Sequence, residues 1–175
     1  AESVLNHAVV LAHDAVYRED GTRDDQASQF YVSNDYVLDL AAECPEVMPA
    51  ASVHPRRPDA AAELERCREA GARVLKIHPA AHGVDPSDAS LEGFYRLAAE
   101  LGMTAVFHTG YEHHFPVIRQ EYGNPELLAR PLDCGLKVIA AHAGACSPLD
   151  PVDYYPNFVH MMERYENLYG ETSVP

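Results

Sequence analysis

Short apolar runs alternate with amphipathic stretches along the whole 175-residue chain. The apolar runs predict six β-strands, namely Val4–Ala12, Val47–Val53, Arg73–His78, Met103–His108, Leu136–His142 and Asn167–Thr172. Between them, apolar residues at helical spacing predict helices near residues 35–44, 59–71, 91–102, 125–135 and 154–165. A strand followed by a helix, repeated in this way, is typical of a parallel sheet covered by helices.

Two closures of such a sheet are compatible with this pattern, an open doubly wound sheet and a (β/α)₈ barrel. No G-x-G-x-x-G or G-x-x-x-x-G-K-[ST] follows a predicted strand, so nucleotide binding has no support. Complete barrels of this kind take about 200–250 residues or more. If the sheet closes, 175 residues with about six strands would give an incomplete barrel in one domain over residues 1–175, and the pattern alone leaves both closures open.

The charge and composition of the chain exclude some classes of binding partner. The chain has 13 Lys and Arg against 27 Asp and Glu, a formal net charge of −14, which repels nucleic acids and anionic lipid surfaces. No apolar run reaches the length of a membrane span, and no secretory signal peptide is visible at the start. The four cysteines are scattered and form no C-x-x-C pair, as expected for reduced thiols of a cytoplasmic protein.

Histidines stand at the ends of four consecutive predicted strands. They are His54, His78, His108 and His142. In parallel α/β folds, functional sites are built at the carboxyl edge of the sheet. Alternation along each strand predicts that these histidines share the face of the small and polar residues, with His142 on the face of Val138 and Ala140. The opposite faces are expected to pack beneath the helices, and they carry Leu75, Ile77, Ala105, Phe107, Ile139 and Ala141.

Neutral imidazole is the commonest ligand of Zn²⁺, and an open position on such an ion activates water. Lys76 lies two residues before His78 and should be buried with it, so it must be paired, deprotonated or modified. Three alternatives stay open for Lys76: a salt bridge, binding of a substrate carboxylate, or a carbamate between two metals. Glu112 follows His108 closely enough to border the same site.

The remaining histidines have plainer interpretations. His54 also fits a hydrogen-bonded turn before a helix, and His7 and His13 lie on one face of the first strand in a structural role. The other four are expected to be mostly solvated; they are His82, His113, His114 and His160.

The series SVHP, ARVLKIHP, FHTG, KVIAAHAG and NLYGETS resembles the amidohydrolase superfamily. The nearest branch is the amidohydrolase-related group that includes aminocarboxymuconate-semialdehyde decarboxylase. The resemblance implies a (β/α)₈ barrel that holds a divalent metal, with His108 as a metal ligand. We therefore expect an α/β fold of TIM-barrel type, here an incomplete barrel of about six strands that is part of a longer barrel or else a naturally reduced relative. It implies that His142 is the catalytic acid/base or a ligand of a second metal, and that Lys76 and His78 line the site. The family's H-x-H pair and its aspartate in the last strand are absent from this sequence.

These observations lead to a metal-dependent hydrolase that acts on a small organic substrate through metal-activated water, with zinc as the expected ion. In this interpretation His142 is catalytic, His108 and His142 hold the metal, and Lys76, His78 and Glu112 bind the substrate. A related metal-dependent decarboxylase is one alternative. An inactive barrel is the other, serving as a binding or oligomerisation module whose sheet edges are covered by a second copy of the chain.

Overall fold

The computed structural model describes residues 6–173, in which six strands alternate with helices. The strands are β1 (Ala8–Leu11), β2 (Val47–Ala51), β3 (Val74–Ile77), β4 (Thr104–His108), β5 (Lys137–Ala141) and β6 (Leu168–Glu171). The α-helices are α1 (Asn34–Glu43), α2 (Ala60–Glu69), α3 (Pro79–His82), α4 (Glu92–Glu100), α5 (Ala129–Asp133) and α6 (Tyr155–Arg164). Short 3₁₀ turns occupy Ala89–Leu91, Gln120–Gly123, Pro125–Leu128 and His142–Gly144.

All six strands are parallel and lie in one sheet in the order β1-β2-β3-β4-β5-β6. A doubly wound sheet reverses its strand order at a switch point, whereas a barrel adds each new strand beside the previous one. The order has no reversal, so the fold is an incomplete α/β barrel of TIM type, as the sequence predicted. At the carboxyl edge of the sheet, His108 of β4 lies beside Ala141 of β5, and Ala141 lies beside Glu171 of β6.

The predicted elements recur with small shifts at their ends. The predicted strand Val4–Ala12 is observed as Ala8–Leu11, and its first two residues lie outside the described part. The stretch predicted as one helix at 125–135 is a 3₁₀ turn followed by α5. Residues 79–82, predicted as a turn, form the short helix α3, which begins at a proline and is capped by His78.

The hydrophobic core lies between the sheet and the helices. Its strand residues include Leu75, Ile77, Ala105, Phe107, Val138 and Ala140, and its helix residues include Leu64, Tyr95 and Met161. The predicted faces of β3 and β4 agree with this core. The predicted face of β5 is wrong: Val138 and Ala140 pack under the helices, because Phe107 lies in register with Ala140. His142 does not continue the alternation, since β5 ends one residue before it.

Within residues 6–173 there is no helix that combines the length and the apolar character needed to cross a bilayer. The four cysteines, all inside this range, are free thiols. Cys67 and Cys134 are buried, and Cys44 and Cys146 are half-buried.

Candidate metal centre

Three buried side chains converge at the carboxyl edge of β3 and β4. The Nε2 atom of His78 lies 3.1 Å from Oε2 of Glu112, and Nε2 of His108 lies 3.9 Å from the same oxygen. One ligand atom from each residue lies within 4.8 Å of the other two. Within residues 6–173 this is the one group of three or more potential metal ligands that meets this distance.

Strand register brings the two histidines together. His108 is the last residue of β4, and His78 directly follows β3, the parallel neighbour of β4. Their rings stack with centroids 3.9 Å apart and planes 12° apart. The Nδ1 atom of His78 accepts a hydrogen bond from the N–H of Ala81 at 3.3 Å, which caps α3 and fixes the direction of the ring. Neutral His78 therefore carries its proton on Nε2 and donates it to Glu112.

Glu112 lies in the loop that follows β4, yet its side chain is buried. Its second oxygen, Oε1, accepts the main-chain N–H of His114 at 2.6 Å and lies 3.1 Å from the ring Nδ1 of that residue. Burial opposes the charged carboxylate. The hydrogen bonds from His78 and from the N–H of His114 outweigh that effect and hold the pKa of Glu112 well below its ordinary value. Glu112 is therefore an anion at neutral pH.

The Nε2 atom of His108, like those of His13 and His82, is buried and has no hydrogen-bond partner among residues 6–173. An unpaired buried polar atom is costly, and such atoms in native structures often mark a site for an ion or a water. Burial first, and then the nearby His78 and Lys76, lower the pKa of His108, so its ring is neutral and has a free lone pair. Tetrahedral zinc ligands lie about 3.3 Å apart. The two distances to Glu112, 3.1 Å and 3.9 Å, bracket that value, so the spacing of the ligand atoms fits a divalent metal. Because the two imidazole rings are stacked, their in-plane lone pairs run nearly parallel, and one ring has to rotate for both to point at one ion.

Lys76 reaches into a cavity of about 230 Å³ beside this cluster, and its side chain is buried. The cavity is lined by Leu11, Ala12, His13, Phe30, Lys76, His78, His108 and Phe115. Burial lowers the pKa of Lys76 to about 8, although the charges of Glu112 and Glu171 oppose this shift. No hydrogen-bond or ion-pair partner of its ammonium group is found within residues 6–173. Of the three alternatives for Lys76, this leaves the salt bridge without support.

His142 approaches the cluster by an unusual backbone path. Its φ is 64° and that of Ala143 is 52°, both in the left-handed region that non-glycine residues seldom adopt. This turn brings the His142 ring to 4.9 Å from the ring of His108, measured between centroids. Its Nδ1–H donates to the main-chain oxygen of Ser173 at 3.0 Å, which leaves the lone pair on Nε2. His142 can thus share a small ligand with His108, although it is outside the group of three.

The other histidines divide into two groups. His54 is fully buried in a turn: its Nδ1 accepts from the N–H of Arg56 at 3.1 Å, and its Nε2 lies 3.1 Å from the carbonyl oxygen of His82. His82 is only 1% exposed, so the prediction that it is solvated is wrong. The reason is α3, which turns its side chain inward against His13 and His54. His113, His114 and His160 are exposed, as predicted.

Sequence reasoning named all three members of the cluster but did not group them. It assigned His78 and Glu112 to the substrate and paired His108 with His142 at the metal. It missed Ser173 and Glu171, which hold the ring and the main chain of His142. It also missed Gln120, whose side chain binds the main chain of Glu112. The sequence contains no local signal for these contacts, because they join residues from separate loops.

Two solved structures share part of this fold at low sequence identity. The IDCase of Metarhizium anisopliae, in its apo form, is similar at 15% identity and a TM-score of 0.45, over 65% of this chain and 40% of that one. This chain thus spans 40% of the length of that protein. A D-tagatose 3-epimerase-like protein is similar at 11% identity and a TM-score of 0.39, over 80% of this chain and 76% of that one. A search of curated proteins gave no match.

Both TM-scores lie below 0.5, so the assignment of a family depends on the sequence. The family model described as Amidohydrolase matches residues 4–175, nearly the whole chain. Together with the cluster of His78, His108 and Glu112, this match supports a metal-dependent function of the amidohydrolase type. The chain belongs to the amidohydrolase family.

Proposed function

We propose that the protein is a metal-dependent hydrolase of small organic substrates, and that His78, His108 and Glu112 hold its divalent ion. The observation that carries the proposal is the free, buried Nε2 atom of His108 beside two further ligand atoms. The proposal changes two roles inferred from the sequence, because His78 and Glu112 become metal ligands instead of substrate contacts. It keeps His108 as a ligand.

Two imidazoles and one carboxylate form a ligand set that catalytic zinc uses in proteins, with further positions left for water or substrate. Such an ion lowers the pKa of a bound water to about 7 and polarises a carbonyl oxygen. Zinc is our candidate because its ligands are nitrogen and carboxylate oxygen, whereas magnesium and calcium prefer oxygen alone.

His78 must change its protonation to serve as a ligand. Its Nε2 now carries the proton that is donated to Glu112. To offer a lone pair at Nε2, the ring has to hold its proton at Nδ1, which costs the hydrogen bond from the N–H of Ala81. That bond is 3.3 Å long and therefore weak, but its loss leaves the buried N–H of Ala81 facing the Nδ1–H of the ring, a cost that binding of the metal has to outweigh. Glu112 then loses its hydrogen bond from His78 and keeps those from His114.

His142 and Lys76 complete the proposed machinery from either side of His108. The carbonyl of Ser173 holds the Nδ1–H of His142, so Nε2 is free to take a proton from the attacking water and to return it to the leaving group. Lys76 offers an unpaired ammonium group to an anionic part of the substrate in the cavity of about 230 Å³. Membership of the amidohydrolase family leaves a metal-dependent decarboxylase as the alternative, and the assays below distinguish the two reactions.

The first experiment measures metal binding. The purified chain is stripped with a chelator, dialysed, and titrated with Zn²⁺ by calorimetry, and bound metal is counted by elemental analysis. We expect about one equivalent in the unaltered chain and a loss of affinity of at least about 100-fold in His108→Ala. His160→Ala is the matched control, because that histidine is exposed on α6 and remote in sequence from the cluster. An unaltered chain without bound zinc, or a His108→Ala variant with unchanged affinity, refutes the proposal.

A second measurement separates the enzyme from an inactive binding module. The zinc-loaded chain is tested against a panel of small esters, lactones and amides that carry a carboxylate, with CO₂ release measured alongside. Hydrolysis that is lost in His142→Asn, while zinc still binds, supports the proposal. Zinc binding without turnover of any compound by the chain or by a longer form favours the binding module, and CO₂ release favours the decarboxylase.

A further inference from the structure

Glu112 is a buried side chain in an irregular loop, an unusual position for a metal ligand. It lies in a loop without regular secondary structure that runs from Thr109 to Arg119, and its neighbours His113 and His114 are exposed. A carboxylate in such a loop keeps one position only when the backbone that carries it is fixed. Neither a helix nor a strand contains Glu112, so the constraint must come from hydrogen bonds between the loop and other parts of the chain.

The side chain of Gln120 supplies both hydrogen bonds that the backbone of Glu112 needs. Its Oε1 accepts the N–H of Glu112 at 3.1 Å, and its Nε2 donates to the carbonyl oxygen of Glu112 at 2.7 Å. Glutamine carries an acceptor and a donor on one rigid amide plane, so a single side chain can satisfy both groups. The pair of bonds resembles the one that two residues exchange in an antiparallel sheet.

Gln120 is itself tied to the elements that carry the two histidines. The N–H groups of Ile118 and Arg119, just before it, both donate to the carbonyl oxygen of Ala80 in α3, at 2.9 Å and 3.1 Å. At the base of the loop, the N–H of Gly110 donates to the carbonyl oxygen of Gly123 at 2.9 Å. Since α3 begins directly after His78, these bonds fix Glu112 relative to its partner in the cluster.

We infer that Gln120 is a positioning residue that holds Glu112 in place for the metal, an inference that rests on the proposed function. Gln120 touches no ligand atom of the cluster; it acts through the main chain of Glu112. Residues that orient metal ligands typically change metal affinity by about 10–100-fold when they are removed. We expect a change of this size in Zn²⁺ affinity for Gln120→Ala.

The test is a double-mutant cycle of Zn²⁺ affinity between Gln120→Ala and Glu112→Gln, measured by calorimetry. Gln26→Ala is the control, because its side chain is exposed and should leave the affinity unchanged. A 10–100-fold loss in Gln120→Ala that disappears in the Glu112→Gln background supports the inference. Unchanged affinity, or an equal loss in both backgrounds, overturns it.

Hydrogen exchange of the Glu112 amide, measured by NMR without metal, gives a second readout. The amide should exchange at least about 10-fold faster in Gln120→Ala, while amides of β4 keep their protection, which also shows that the variant is folded. An unchanged rate at Glu112 overturns the inference even if the affinity falls. If the unaltered chain binds no zinc, the proposed function fails, and the exchange rate alone decides whether Gln120 holds Glu112.

Discussion

Lowering the pH should destabilise the chain through His54. Burial lowers the pKa of this imidazole to about 4, against 6.5 for the exposed side chain. Above pH 6.5 the ring is neutral in the folded and the unfolded chain, so the shift has no effect on stability. Below pH 6.5 the unfolded chain binds a proton that the folded chain does not, and the free energy of unfolding falls until the pH passes about 4.

The size of the effect follows from those two pKa values. Between pH 7.5 and pH 5, protonation of His54 in the unfolded chain should lower the free energy of unfolding by about 2 kcal/mol. That is a large share of the roughly 5–15 kcal/mol typical of a folded protein. His54→Asn removes the titration but lets the shorter side chain accept the hydrogen bond from Arg56. We expect this variant to be less stable at pH 7.5 by about 1–3 kcal/mol, because it loses the bond to His82 and part of the ring volume.

The assay is urea unfolding followed by circular dichroism at pH 7.5 and pH 5.0, with a chelator present so that metal binding does not contribute. Between these two pH values, His54→Asn should lose about 2 kcal/mol less than the unaltered chain. The exposed His160→Asn controls for the general removal of an imidazole and should follow the unaltered chain. If the unaltered chain and His54→Asn lose the same free energy, the burial of a neutral His54 is not the cause of acid sensitivity.

Four further substitutions test the packing of the chain and the charge at the site by chemical unfolding at pH 7. Phe107→Ala should cost about 3–5 kcal/mol, since this ring is fully buried in the core; a cost below about 1 kcal/mol contradicts the described core. Gly123→Ala should cost at least about 2 kcal/mol, because a Cβ there would overlap the carbonyl oxygen of Gly110. Gly93→Ala, in open space on α4, should gain about 0.5–1 kcal/mol. Lys76→Met should stabilise the chain by about 1–3 kcal/mol, because it removes a buried ammonium group. The same variant should bind a small carboxylate such as benzoate more weakly. A variant less stable than the unaltered chain indicates that the ammonium is paired in solution.

Much of the fold could be predicted from the sequence because it depends on local patterns. Runs of apolar residues mark strands and helical spacing marks helices, and both signals lie within a few neighbouring residues. The order of the strands was not open to the same reasoning, since doubly wound and barrel arrangements share one pattern along the chain. The observed pairing of β1 through β6 in chain order decided that question.

The candidate site divides in a similar way. The sequence by itself determined that histidines stand at the carboxyl ends of successive strands, and this pattern is sufficient to place His78 and His108 at one edge of the sheet. Tertiary structure alone decided that Glu112 turns inward to join them and that His142 reaches His108 through two residues with positive φ. The physical reason is that a loop takes its conformation from distant partners, here Gln120 and Ser173. Such contacts depend on the whole packed sheet and leave no periodic trace along the chain.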